Sequence, residues 1–222
     1  MKRILFVFLV IPFFQCKYPK EGVNKSPESK AEVNNEWLLK QYKSISFDTL
    51  MIDPSDKPQD EKYLFKGKKL DSACIKLLPR EFSATYSYDS NFYACFKFRI
   101  DSSRTGLITR TPSDYESSIK LLIFDKKVDS VVGYVELADL LADAGDVMNK
   151  CSFLFNDQTK ELHCLIWEQN SHDNSVNYAR DTSTDLHNNY FLISLAKQHI
   201  DTISTEAGAL RRKFYGLLRK PG

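Results

Sequence analysis

Between Phe92 and Trp167 the chain alternates short apolar runs with polar turns, a pattern that predicts an antiparallel meander of about six strands. Over residues 91–100, Phe92, Ala94, Phe96, Phe98 and Ile100 fall on one face, with Tyr93, Cys95, Lys97 and Arg99 on the other. This is the period of two expected of a half-buried strand. Residues 101–106 read as a turn, 107–111 as the returning strand and 112–114 as an interruption. Residues 118–124 and 131–137, joined through 125–129, make the clearest hairpin. Leu121-Leu-Ile-Phe124 and Val131-Val132 are continuous rather than alternating, which places these strands centrally with both faces covered. Residues 151–155 and 162–167, joined through 156–160, form the last hairpin of the series.

Between Val135 and Cys151 the apolar period lengthens to about 3.6 residues, with Leu137, Leu140, Leu141, Ala144 and Met148 on one stripe, predicting a helical insert. Asp139, Asp143 and Asp146 would share its opposite face. That face is expected to carry solvated charge rather than a metal, because a hard cation is better wrapped by ligands from a loop. Gly145 then reads as the helix stop. Residues 36–45 suggest a short amphipathic helix, 47–52 and 70–78 strands, and 190–200 a final strand. Residues 206–219 carry Ala207, Leu210, Phe214, Leu217 and Leu218 on a stripe flanked by Arg211, Arg212 and Lys213. Such a helix either covers a sheet or lies on anionic lipid; packing is expected, since basic residues near its C-terminus complement the helix dipole. The fold expected is mainly β, an antiparallel meander forming a curved sheet or barrel-like domain, with a short helical insert and a C-terminal helix.

At the start of the chain Lys2 and Arg3 precede the apolar run 4–14, which ends at Gln15-Cys16. The run is shorter than the roughly 20 residues a spanning helix needs, and a charged start before an apolar stretch of this length fits an export signal. The cysteine directly after the run resembles the lipobox of bacterial lipoproteins, although Phe13 and Gln15 stand where that pattern has a branched aliphatic and a small residue. The resemblance implies that residues 1–15 are removed and that Cys16 becomes the acylated N-terminus, held in the membrane by two or three acyl chains. Residues 17–35, rich in lysine and glutamate and nearly devoid of apolar side chains, suit a flexible tether. Residues 36–222 then form one β-rich domain. From this leader through Thr105-Gly-Leu-Ile-Thr109 and Glu136-Leu-Ala-Asp139, the chain is similar to uncharacterised lipid-anchored envelope proteins of Bacteroidota. That resemblance implies a bacterial cell envelope location, on the outer membrane, and no particular activity.

Length and charge narrow the choice further. At 222 residues, 42% hydrophobic and 13% aromatic, the body is ample for one core and short for two. Lys2 and Arg3 are the leader's only charges, and without them the remaining Lys and Arg balance the 29 acidic residues. A neutral chain argues against nucleic acid, which calls for a basic face. Candidate chemistry concentrates in the polar stretch 168–189, with His172, Asp173, Arg180, Asp181, Asp185 and His187. A loop of that length suits a binding loop or lid, and its residue types permit acid–base work. Their spacing matches no ligand set or nucleophile motif, and His163 and His199 fall inside strand-like runs. The expectation is therefore a non-catalytic binding or envelope-assembly module without a cofactor, membrane-bound through its N-terminal lipid and carrying an unknown envelope ligand or protein partner. The alternative is an envelope hydrolase using residues 168–189.

Export makes disulfides possible for the four remaining cysteines. If Asp157-Gln158 is a two-residue turn, Cys151 meets Cys164 across the last hairpin, and a like count places Cys74 opposite Cys95. A three-residue loop would instead set Cys151 against Leu165, and buried thiols packing as small apolar groups are the other outcome.

Overall fold

The computed structural model describes residues 34–81, 91–113, 117–176, 182–195 and 200–219. The leader, Cys16 and nearly all of the tether lie outside these residues, as do Arg180, Asp181 and His199. The elements in chain order are α1 (Asn35–Lys40), β1 (Lys43–Ser44), β2 (Thr49–Ile52), β3 (Lys68–Lys69), α2 (Ser72–Ile75), β4 (Tyr93–Arg99), β5 (Arg104–Pro112) and β6 (Ser117–Asp125). There follow β7 (Ser130–Asp143), β8 (Asp146–Asn156), β9 (Leu162–Asp173), β10 (Thr184–Ser194), β11 (Asp201–Ser204), α3 (Ala207–Lys213) and α4 (Tyr215–Leu218). The strands form one open sheet in the order β1-β4-β5-β6-β7-β8-β9-β10-β11, with β2 beside β8 and β3 beside β4. Consecutive strands from β4 to β11 pair antiparallel, as the meander pattern predicts.

The long strand β7 bends this sheet. Its residues 130–138 pair with β6, whereas residues 139–143 pair with β8. Having left β7 at Lys150, β8 takes up β2 over residues 152–155. The β6–β7 register slips at Val132 and Leu137, and such bulges kink a strand and increase its twist. The sheet therefore folds into two halves that enclose a shared core. Ile108, Ile119, Leu121 and Ile123 of the first half meet Leu154, Cys164, Ile166 and Ile193 of the second. The outer face of the first half carries Leu107, Leu122 and Phe124 and is covered by Leu38 and Tyr42 at α1 and Cys74 and Leu78 at α2. The outer face of the second half carries Phe153, Leu165, Tyr190 and Leu192 and is covered by Leu210 and Phe214 from the C-terminal helices. That packing role is the one expected for the last helix. β6, buried along almost its whole length, is the two-sided central strand.

Several local expectations are overturned. The 91–100 alternation changes face at a bulge between Ala94 and Phe96, so Phe92 and Ala94 point to the outer cluster and Cys95, Phe96 and Phe98 to the inner one. Residues 70–78 are not a strand: the Asp71 carboxylate caps a turn of helix by accepting the Cys74 N–H at 2.7 Å. The helical insert over 135–151 is the β7–β8 hairpin. Ala144 and Gly145 form its turn with φ of 46° and 92°, the left-handed pair of a two-residue hairpin loop. The bulge at Leu137 puts Leu137 and Ala138 together in the core. The stripe read as helical shares no single face: Leu137 lies in the core, Leu140 and Leu141 alternate along β7 with Leu141 37% exposed, and Ala144 is in the turn.

The disulfide pairing fails with its register. Asn156 pairs with Leu162 across a five-residue loop, which sets Cys151 opposite Trp167 and Cys164 opposite Leu154. Cys151 and Cys164 thus face opposite sides of the sheet, as do Cys74 in the outer cluster and Cys95 in the inner one. All four are free and buried. Burial pushes their thiols up, to about 11 for Cys74 and Cys151 and about 12 for Cys95 and Cys164, so they stay protonated and unreactive near neutral pH.

The Ala144 turn yields a test that separates hairpin from helix. Asparagine tolerates positive φ better than alanine but is the poorer helix former. Ala144→Asn should raise the unfolding free energy by about 0.5 kcal/mol or more in urea denaturation; a loss of that size would restore the helical reading.

Candidate functional site

The place where β7 changes partner also holds a row of charge. Lys120 stands alone among the apolar residues of β6, and its side chain is only 8% exposed. A buried ammonium needs a partner. Its Nζ donates to Glu136 Oε2 at 3.0 Å and to Ser118 Oγ at 2.7 Å. Glu136 Oε1 accepts from Lys150 Nζ on β8 at 2.6 Å, and Lys150 lies 3.6 Å from Glu168 Oε2 on β9. Glu168 Oε1 in turn accepts from the amides of Asn170 at 3.1 Å and Asn189 at 3.4 Å. Lys120 with Glu136, and Lys150 with Glu168, are directly opposed cross-strand pairs, the arrangement in which opposite charges on a sheet interact best. The remaining link, Glu136 to Lys150, spans the corner and joins the two halves of the sheet.

The electrostatics follow from that geometry. Burial opposes ionisation of Glu136 and Glu168, but the lysines and amides around them outweigh it and hold both carboxyls below the ordinary range. Burial likewise disfavours the Lys150 ammonium, and Glu136 reverses the sign, so Lys150 is held above its usual value. Asp139, directly opposite Lys150, goes the other way: burial raises its carboxyl despite a hydrogen bond from Ser113 Oγ at 2.8 Å.

Glu136, Lys150 and Glu168 line a groove of about 330 Å³, between Tyr134 and Val135 of β7 and the end of the sheet at β10 and β11. Its apolar walls are Ile166, Phe191, Ile193 and Ile200. An apolar concavity with a few convergent polar groups is the usual form of a small-molecule site, and this volume lies at the lower end of the range.

The sequence-derived candidates lie elsewhere. His172, Asp173 and His187 do not sit on a loop, because β9 and β10 run on through residues 168–173 and 184–189 as a paired hairpin. His172 is directly opposite Asp146 on β8 and Asp185 on β10, and its Nδ1 is 2.7 Å from Asp146 Oδ1. Asp173 ends β9 and accepts the Ser175 N–H at 2.9 Å, while His187 is exposed opposite Asn170. The three carboxylates expected on one helix face are separated: Asp139 meets Ser113, and Asp143 and Asp146 flank the Ala144-Gly145 turn. Lys120 was the available signal for the ladder, since a lysine inside a continuous apolar strand demands a carboxylate on its neighbour.

A second cluster, Asp157, Glu161 and His163, brings its ligand atoms within 4.8 Å of one another at the β8–β9 turn. Its chemistry fits a turn lock better than a metal. Asp157 Oδ1 accepts from Thr159 N, Thr159 Oγ1 and Glu161 N at 2.7–2.9 Å, which holds its carboxyl down to about 2. Its Oδ2 is left to accept from His163 Nε2 at 3.1 Å. A metal on Nε2 would force the ring proton onto Nδ1, which is buried without a hydrogen-bond partner; ligating histidines normally donate that proton to an acceptor.

Comparison with known proteins adds no relative: no family pattern, no characterised protein and no solved structure matches the chain significantly.

The ladder makes stability depend on pH in a definite direction. Carboxylates held below their ordinary values stabilise the fold when ionised, so the contributions of Glu136 and Glu168 are complete above the ordinary glutamate value of 4.5 and are lost as pH falls through their folded values. Asp101, whose ionisation partial burial opposes but whose bonds from Arg104 and Ser103 carry its carboxyl down to about 2, adds to the same loss. Asp139 offsets part of it, since its raised carboxyl gains on acidification. Glu136→Gln should cost about 2 kcal/mol near neutral pH, below the full range for a buried pair because Glu136 is partly exposed. The gap from wild type, followed by urea unfolding, should narrow as pH falls below 4.5; a gap that stays constant with pH would show that the charge of Glu136 is not what the fold uses.

Proposed function

We propose that the chain is a lipid-anchored binding module of a bacterial cell envelope, attached to the outer membrane through Cys16, with the groove beside the charge ladder as its ligand site. The observation that carries the ligand site is the groove itself, where Glu136, Lys150 and Glu168 present fixed charge among Ile166, Phe191, Ile193 and Ile200. The acids and lysines already satisfy one another, so the site is organised before a ligand arrives, and binding need not order it. A suitable ligand is a small amphipathic molecule or the end of an extended peptide, laying an apolar face on Phe191 and Ile193 and directing one hydrogen-bonding group to Lys150 or Glu168. The apolar leader ending at Cys16 supports the anchor.

The hydrolase reading keeps one favourable observation, the 2.7 Å contact of His172 with Asp146, which resembles the orienting bond of a catalytic histidine. Of the stretch on which it rested, residues 168–173 and 184–189 are paired strands rather than loop. The residues form a hairpin rim with Asp146 72% exposed, and an enzyme ordinarily buries the carboxylate that orients its base.

Two measurements test the proposal. Cys16→Ser should move the protein from the membrane to the soluble envelope fraction, and unchanged detergent dependence would remove the lipid anchor. Native mass spectrometry of protein gently extracted from its own envelope should show a bound small molecule or peptide that is lost in Phe191→Trp, which fills the groove, and weakened at least about tenfold in Lys150→Met. A ligand retained in full by Phe191→Trp would place the site elsewhere.

A further inference from the structure

The chain's balanced charge hides a separation in space. A groove of about 660 Å³ beside β4, formed by α1, β1, β3 and residues 61–67, is lined by Lys40, Lys43, Lys62, Lys66 and Lys68 against one acid, Glu61. Part of this charge is spoken for: Lys40 pairs with Glu36 at 2.8 Å, Lys66 with Glu61, and Lys68 donates to Gln41 Oε1 at 2.8 Å. The ammonium groups of Lys43 and Lys62 have no partner among the described residues, and both residues are exposed. The groove is also amphipathic. Tyr63 and Phe96 contribute apolar surface to its lining, and so does Leu64, 53% exposed and two residues along the chain from Lys62.

The groove is built rather than incidental. Residues 63–67 are pinned to β4 and β5 by Arg110, which stacks 3.8 Å over Tyr93 and donates to Phe65 O and Lys66 O at 3.3 and 2.8 Å. Gly67 keeps φ of +69° and lies so close to Cys95 that a side-chain carbon there would meet Sγ at 2.9 Å. The lysines are therefore presented on a fixed frame.

We propose that this groove holds the phosphate headgroup of an anionic membrane lipid, with Lys43 and Lys62 on the phosphate and Leu64 reaching the acyl boundary. The charge complementarity is direct, and an exposed leucine between lysines suits a headgroup at an apolar interface better than a fully hydrated polyanion. The position in the chain agrees: α1 and β1 are the first elements after residues 17–33, so the basic groove belongs to the part of the body nearest in sequence to Cys16. The choice of a lipid over a soluble phosphate rests on the envelope reading above; the groove and its charge do not.

The test uses the full chain carrying Cys16→Ser, so that no acyl anchor contributes and failure of the anchor leaves the result intact. Co-sedimentation should show binding to vesicles of phosphatidylcholine with phosphatidylglycerol, little binding to phosphatidylcholine alone, and weakening by salt. Lys43→Glu with Lys62→Glu should reduce binding about thirtyfold or more, and Leu64→Ser should reduce it further at unchanged charge. Arg211→Glu with Arg212→Glu on α3 should leave it unchanged. Equal binding to both vesicle types, or loss only in the α3 variant, overturns the proposal. Glycerol phosphate in calorimetry separates the sources: affinity equal to that for vesicles assigns the groove to a soluble phosphate ester and overturns the lipid assignment, as does a preference for duplex DNA over vesicles.

Discussion

The structure depends on one strand belonging to two half-sheets. A twisted sheet of many strands must curl, split or flatten, and β7 resolves this by pairing with β6 along its first nine residues and with β8 along its last five. From that sharing follow the enclosed core, the vacancy beside β8 that β2 fills, and the groove between β7 and the end of the sheet. The bulges at Val132 and Leu137 are the local means, since each adds a residue to one strand of the pair and turns it. Without them β7 would continue alongside β8, and the two apolar half-sheet faces would lie side by side rather than face to face.

The charge ladder sits where that corner could fail. Buried ion pairs seldom add net stability, because desolvation consumes most of the attraction. Their effect here is on geometry. Lys120 in the middle of β6 tolerates only a register that brings a carboxylate opposite it, and a slip of one residue would replace Glu136 by Val135 or Leu137. Glu136 then meets Lys150 only if β7 has crossed to β8. One carboxylate thus reports on both pairings at once, which selects the bent sheet against the flat alternative.

What could be read from the sequence was what depends on period and covalent neighbours. The central strand 117–125 announces itself because four consecutive large apolar residues can only be covered on both sides. The C-terminal helix does so through its stripe. The misreadings share a cause: each lies where a bulge, a cap or a remote strand overrides local period. Leu140 and Leu141 counterfeit a helical stripe although, as neighbours in β7, they point to opposite faces, and residues 70–78 counterfeit a strand because Asp71 caps a helix too short to show periodicity. The cysteine pairing failed because Asp157, by accepting three donors on one oxygen, holds a five-residue loop where a two-residue turn was counted. The groove could not be read directly, since its lining comes from five strands whose order is a tertiary fact. Only Lys120 and the carboxylates around it carried a hint.

The same reasoning separates net charge from charge as a partner meets it. Lys40, Lys43, Lys62, Lys66 and Lys68 converge because α1, β1, β3 and the loop on β4 all lie at one edge of the sheet. Asp143, Asp146 and Asp185 converge with His172 because the long hairpins of the second half place them in one cross-strand row. A chain whose sum is near zero thus carries a basic groove at one edge of its sheet and an acidic rim on its hairpins. Balanced composition excludes a uniformly basic surface. It leaves open a segregated one, and a surface of that kind presents charge of different sign to a partner according to the side it meets.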